Sequence, residues 1–161
     1  MFTMDDLLEI AVKMEENGEA VYLDSKDKLA SEELKSTLQW MANEEASHAK
    51  WFKTLKQRLT LSVDEADLKK MVPRALQEMM GDNTLALEEI DFSTIKTARD
   101  LFETFIGFEK ETIEFYEVLE IFIDDPGVIK GLQEIIREEK NHIKTLESRM
   151  DDHARTPVHT G

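Results

Sequence analysis

The chain has no cysteine, which excludes disulfide bonds and any Cys-x-x-Cys iron site. Glycine (6) and proline (3) are also scarce, as expected for long uninterrupted helices. No segment approaches the roughly 18 consecutive apolar residues of a membrane-spanning helix. The N-terminus lacks the basic, apolar and small-residue pattern of a signal peptide. We therefore expect a cytoplasmic protein that does not enter a membrane.

Positive charge is scarce as well. Lys and Arg together number 20 against 35 Asp and Glu, which gives a formal net charge of -15. Binding to nucleic acid depends on a basic face that displaces counterions from phosphate. The charge balance therefore argues against a nucleic-acid partner, and most of the acidic residues are expected on solvated helix exteriors.

The chain contains an internal repeat at a spacing of 94 residues. In each half a Glu is followed seven positions later by a Tyr, and a Glu-x-x-His motif begins thirty positions after that first Glu. The repeated residues are Glu15, Tyr22, Glu45 and His48 in the first half and Glu109, Tyr116, Glu139 and His142 in the second. Four matched pairs at the same spacing, eight residues in all, indicate two structurally related halves.

The repeated Glu and His residues occupy positions that belong to a helical core. Glu15, for example, follows Leu8 and Ala11 at alternating spacings of three and four, which is the apolar stripe of a helix. A buried carboxylate is costly unless it is paired or binds a cation. Two divalent cations would balance four carboxylates, with two neutral imidazoles completing the ligand set. The repeat predicts a dinuclear metal centre in a four-helix bundle.

The fold class expected is all-α, a bundle of four long helices over residues 1–150. The predicted helices run from between Thr3 and Asp6 to about Ala30, from about Ser31 to Leu59, from near Ser93 to near Asp124, and from the Asp125–Pro126 cap to about Met150. Residues 60–92 are predicted to form one long crossover containing short helices. The polar segment 151–161 is predicted to be a disordered tail.

The residues of the repeat make the chain similar to the ferritin-like superfamily, and most of all to the rubrerythrins and bacterioferritins. The resemblance covers roughly residues 5 to 150 and rests on Glu15, Glu45-Ala46-Ser47-His48, Glu109 and Glu139-Lys140-Asn141-His142. It implies two Fe ions per chain, with Mn or Zn as substitutes. Glu15 and Glu109 would be terminal ligands, Glu45 and Glu139 would bridge, and His48 and His142 would each bind one ion.

One position departs from the rubrerythrin pattern. Rubrerythrins typically carry a further Glu ligand three residues after the terminal Glu of the third helix, where this chain has Thr112, matched by Gly18 in the first half. The ligand set therefore resembles the six-ligand arrangement of bacterioferritins. Because the chain has no cysteine, an electron donor such as a rubredoxin would have to be a separate molecule.

Four more residues are candidates for supporting the ligands. In related bundles an acid one position before the bridging Glu bonds the His of the opposite helix pair, so Glu44 would hold His142 and Glu138 would hold His48. An exposed helix glutamate is the alternative. Tyr22 and Tyr116 lie near 10 Å along the helix from the terminal Glu, by helix rise. They are expected to reach a carboxylate on a neighbouring helix, or to be core tyrosines with satisfied hydroxyls.

Three classes of function are compatible with this site. We place first a non-haem peroxidase, active in oxidative stress, that reduces hydrogen peroxide with electrons from an external donor. A ferroxidase or iron-handling protein, with dioxygen as oxidant, is the close alternative. The third class is a di-iron hydroxylase or a bundle that has lost its metal and serves only as an interaction module, and retention of all six ligands argues against the latter. We expect a homodimer, formed through apolar residues of the crossover.

Overall fold

The fold is a bundle of four long helices. The computed structural model describes residues 3–58, 92–153 and 155–158. The helices are α1 (Met4–Lys26), α2 (Glu32–Arg58), α3 (Ala98–Ile121) and α4 (Pro126–Asp152), and a short 3₁₀ helix, Phe92–Thr94, precedes α3. The predicted all-α bundle is confirmed. The short helices predicted in the crossover, and the apolar dimer contact predicted there, fall outside the described residues and stay predictions.

Side-chain caps determine where the helices begin. Thr3 and Thr97 each accept a hydrogen bond from the backbone N–H three residues on, and the Asp at that third position bonds back to the cap. The carboxylate of Asp125 accepts hydrogen bonds from two backbone N–H groups of the first turn of α4. The third helix was predicted to start near Ser93, but it starts five residues later because Thr97 provides the cap. At the other end of α1, the helix stops at Lys26, short of the predicted Ala30.

The helices pack as two pairs, α1 against α2 and α3 against α4. Aromatic side chains fill much of the space between them, among them Phe52, Phe102 and Phe105, all with no exposed surface. Helix pairs stabilise each other by burying their apolar stripes, which isolated helices of this length could not do. None of the described helices is long and apolar enough to cross a membrane.

The C-terminal segment is ordered where the structure describes it, which corrects the prediction of a disordered tail over 151–161. The backbone N–H of Val158 donates to the carbonyl of Lys96 at 3.0 Å, and that of Ala98 donates to the carbonyl of Thr156 at 2.7 Å. The side chain of Val158 is buried. The segment thus covers the start of α3 and satisfies an N–H group that a helix N-terminus otherwise leaves free. Residues 154 and 159–161 lie outside the described part.

Candidate metal centre

Six side chains from all four helices meet in the centre of the bundle. Each has at most 3% of its surface exposed. They form two groups of four potential ligands, and within each group the ligand atoms lie within 4.8 Å of one another. This six-residue cluster comprises Glu15 from α1, Glu45 and His48 from α2, Glu109 from α3, and Glu139 and His142 from α4.

The two groups share Glu45 and Glu139. One group adds Glu15 and His48 to this pair, and the other adds Glu109 and His142. The Glu-x-x-His spacing places both side chains of each motif on one face of its helix, because residues three apart are neighbours on a helix surface. The arrangement would offer two adjacent cation positions, with Glu45 and Glu139 available to both and one further Glu and one His at each position.

Many buried polar atoms of the cluster lack hydrogen-bond partners, which is a feature of sites that bind cations. Seven of its buried polar atoms have no hydrogen-bond partner: one oxygen each of Glu15, Glu45 and Glu109, both oxygens of Glu139, and Nδ1 of both histidines. The Nδ1 atom of His48 lies 2.8 Å from Glu139 Oε1, but without hydrogen-bond geometry. Buried polar atoms are almost always satisfied, and carboxylate and imidazole donors suit Fe, Mn and Zn. The residues therefore fit a pair of divalent cations.

Without cations the cluster is electrostatically crowded. Burial, and then the charges of the neighbouring carboxylates, raises the pKa of Glu45 and of Glu139 well above the usual value. Burial alone would lower the pKa of His48, but the adjacent carboxylates of Glu139 and Glu15 outweigh burial and raise the pKa to about 11. The same balance raises the pKa of His142. These shifts all favour protonation of the cluster, and because metal ligands must be deprotonated, cation binding would release protons.

Each histidine is oriented by a carboxylate outside the cluster. His48 Nε2 lies 2.5 Å from Glu138 Oε2, and His142 Nε2 lies 2.5 Å from Glu44 Oε2. These are the two pairings expected from the sequence. A carboxylate at Nε2 favours the tautomer with the proton on that nitrogen, which leaves Nδ1 free to bind a cation. Both histidines therefore present Nδ1 to the interior of the cluster.

The two tyrosines hold the terminal carboxylates from across the bundle. The Tyr22 hydroxyl donates to Glu109 Oε1 at 2.5 Å, and the Tyr116 hydroxyl donates to Glu15 Oε1 at 2.5 Å. Burial, and then the charge of the bonded carboxylate, raises the pKa of both tyrosines well above the usual value, so both remain neutral donors. Because each hydroxyl occupies Oε1, the other oxygen of each terminal Glu stays available to a cation.

We predict that Tyr22→Phe and Tyr116→Phe each weaken Co²⁺ binding and lower the free energy of unfolding by about 1.5–3 kcal/mol, the usual contribution of a hydrogen bond to a charged group. The two variants should behave alike, because each removes one donor from one terminal carboxylate. Metal titration and thermal unfolding measure the two effects. Phe105→Leu, which alters packing beside Tyr22, is the control. Unchanged affinity in both Phe variants would show that these hydroxyls do not position the ligands.

Thr112 and Gly18 add no ligand to the cluster. The Thr112 hydroxyl is buried and donates to the carbonyl of Phe108 at 3.0 Å, so it serves its own helix. Gly18 lies beside Glu45: a Cβ atom built there would lie 3.4 Å from Glu45 Oε2, an ordinary contact. Among the described residues, the cluster therefore offers six candidate ligand side chains, and neither Thr112 nor Gly18 contributes a carboxylate.

One residue beside the cluster was missed from the sequence. The indole ring of Trp40 packs edge-on against the imidazole of His142, with ring centroids 5.2 Å apart. The residue 94 positions further on is Glu134, so the aromatic ring has no counterpart in the second half of the chain. Nothing in the spacing shows that position 40 faces His142, because that contact joins two helices from different halves of the chain.

Comparison with known proteins agrees with this geometry. The sequence model of the rubrerythrin family matches residues 6–150, whereas no curated protein matches the chain. Among solved structures, a Thermotoga maritima protein described as a ferritin-like diiron-carboxylate protein is similar, with a TM-score of 0.68 and 21% identity, over 95% of this chain and 97% of that one. A hypothetical protein from Pyrococcus furiosus is similar to the same degree, with a TM-score of 0.68 and 21% identity, over 93% of this chain and 89% of that one. The match over nearly the whole bundle places this chain in the rubrerythrin family, with a buried Glu and His cluster compatible with a dinuclear metal centre.

Proposed function

We propose that this protein is a di-iron oxidoreductase that reduces hydrogen peroxide to water with electrons from an external donor protein. The observation that carries the proposal is the six-residue cluster, in which seven buried donor atoms without hydrogen-bond partners converge on two adjacent positions. Membership of the rubrerythrin family supports it. In a cell, such an activity would remove peroxide during oxidative stress.

The two groups of the cluster would supply the ligands of the two positions. Glu15 and His48 would hold one iron, Glu109 and His142 would hold the other, and Glu45 and Glu139 would contact both. Two ferrous ions held there would supply the two electrons that conversion of hydrogen peroxide to two water molecules consumes. Mn or Zn would fit the same donors, but Zn has no redox chemistry. The proposal therefore requires iron, or Mn as its redox-active substitute.

Reduction of hydrogen peroxide also consumes two protons, and the residues around the cluster can deliver them. Glu138 bonds His48 Nε2 and has 44% of its side chain exposed, so it connects a buried imidazole to solvent. Glu44 makes the equivalent link at His142, with 27% of its side chain exposed. Elsewhere the cluster is enclosed by core aromatics such as Phe52 and Phe105, which keep bulk water away from the reacting groups.

Electrons must come from outside the chain after each turnover. The chain has no cysteine and so cannot carry a thiolate-ligated iron of its own. A small iron protein of the rubredoxin type is the donor we propose. The requirement is testable, because the oxidised protein should not react again until such a donor is added.

The test is stopped-flow oxidation of the two-iron ferrous protein by equimolar hydrogen peroxide or by dioxygen. We expect oxidation by peroxide to be many times faster, and repeated turnover only with a reduced rubredoxin present. Glu147→Gln, which changes an exposed acid outside the cluster, is the control and should be oxidised at the same rates as the unmodified protein. Faster oxidation by dioxygen, with continued consumption of added ferrous ion, would contradict the peroxidase proposal.

A ferroxidase is the second candidate, and Thr112 is the observation that favours it. The Thr112 hydroxyl is engaged by its own helix, so the six ligands lack the further carboxylate that rubrerythrins typically place there. A ferroxidase would consume ferrous ion well beyond two per chain and leave ferric product outside the bundle. The same stopped-flow experiment therefore separates the two candidates.

A further inference from the structure

The two halves of the cluster differ in their surroundings, although their ligands repeat. The indole of Trp40 packs against the His142 ring at an interplanar angle of 80°. Trp40 is partly buried and joins the hydrophobic core. On this side a large, partly buried aromatic side chain therefore packs directly on the candidate ligand His142.

The corresponding place beside His48 has no such cover. The residue that the repeat places there is Glu134, which is exposed and has its carboxylate 3.5 Å from Arg137. Within the described residues, the ring contacts of His48 involve His142 alone. Among the described rings, no aromatic contact at His48 matches the one that Trp40 makes with His142.

Side-chain exposure follows the same asymmetry. His142 has no exposed side-chain surface and its partner Glu44 has 27%. His48 has 4% and its partner Glu138 has 44%. The position formed by Glu15 and His48 is therefore closer to solvent than the position formed by Glu109 and His142.

We propose that Trp40 is a positioning residue that closes the His142 metal position, so that ions enter and leave the centre through the His48 position. This inference rests on the proposed two-metal centre. An ion can leave only when solvent or a chelator reaches it, and the apolar shell of a metal site controls that access. Opening the bundle at His142 requires displacement of the packed indole, whereas His48 has no described ring contact besides His142 and its partner Glu138 is the more exposed carboxylate.

The test is release of Co²⁺ from the doubly loaded full-length chain to excess EDTA, followed by the visible absorption of bound Co²⁺. We expect two phases of equal amplitude, with rates that differ on the order of tenfold, the lower range of effects from residues around metal ligands. Trp40→Ala should bring the slow phase close to the fast one. Glu134→Trp, which places an indole at the corresponding exposed position, should slow the fast phase and leave the slow one unchanged.

Two further variants assign the phases and control for packing. His48→Ala removes an imidazole from the faster position, so the one ion that remains should leave slowly. Trp51→Phe alters the other tryptophan, which packs on Phe52 and not on either histidine, and it should keep both phases. Trp40→Phe keeps an aromatic ring and provides a second variant in case Trp40→Ala does not fold. Its slow phase should be retained in large part.

The outcomes separate this inference from the proposed function. If two Co²⁺ ions are bound and leave in a single phase, or if Trp40→Ala keeps the slow phase unchanged, the role of Trp40 is overturned while the two-metal centre stands. If the chain does not bind two ions, the centre itself is overturned, and this inference with it. Neither result depends on the reaction with peroxide.

Discussion

Glu139→Ala is expected to abolish stable binding of both metal ions. Glu139 belongs to both ligand groups, and both of its oxygens are buried without a hydrogen-bond partner. Its removal therefore takes a ligand from each position at once. Glu45→Ala should have the same effect, since Glu45 is the other shared residue. Metal content measured by elemental analysis after gel filtration should fall from two ions per chain to well below one.

Substitution of the terminal ligands provides the matched comparison. Glu15→Ala and Glu109→Ala each remove a ligand from one group only, so each variant should retain about one ion, and the two should match each other. Glu147→Ala, an exposed residue of α4, should retain both. Two ions per chain in Glu139→Ala or in His142→Ala would show that the ligand assignment is wrong.

Loading with metal is expected to stabilise the fold strongly. An ion that binds only the folded chain adds about 4 kcal/mol at a free concentration a thousand times its dissociation constant. For a domain of this size that corresponds to a rise in Tm of roughly 10 °C from a single position. The ion-free cluster starts from an unfavourable state, because burial and neighbouring charge raise the pKa of Glu45 and Glu139.

Thermal unfolding with and without Fe²⁺ under anaerobic conditions, or with Co²⁺ in air, measures this shift. EDTA should reverse it. The Glu139→Ala variant should show little shift, which separates binding at the cluster from weak binding of cations to the acidic surface. An equal rise in Tm in that variant would mean that the stabilising ions bind elsewhere.

The metal ligands are the part of the site that the sequence predicts best. A Glu and a His three residues apart must share a helix face, whatever packs against them. Charged residues on an apolar stripe require partners, and the repeat at 94 residues shows that two such stripes are equivalent. The pairing of Glu44 with His142 was also expected, but only from related bundles, and the structure places these side chains 2.5 Å apart.

Other features depended on contacts between helices that spacing does not specify. The carboxylate bonded by Tyr22 belongs to Glu109, 87 residues away, and only the packing of α1 beside α3 makes that bond. The order of the C-terminal segment has the same origin: its polar composition is typical of disorder, but Val158 and Thr156 bond to residues at the start of α3. The composition of a segment does not predict contacts with residues that are distant in the sequence.

By itself, the sequence determined the all-α class, the four carboxylates and two imidazoles of the core, and their division into two equivalent sets, because helical periodicity and the burial cost of charge are local properties. The tertiary structure alone decided that the two sets are unequal. Trp40 covers His142 while the matching Glu134 leaves His48 near solvent. The difference arises where α2 and α4 meet, and the surroundings of a side chain there depend on which residues the other helix presents.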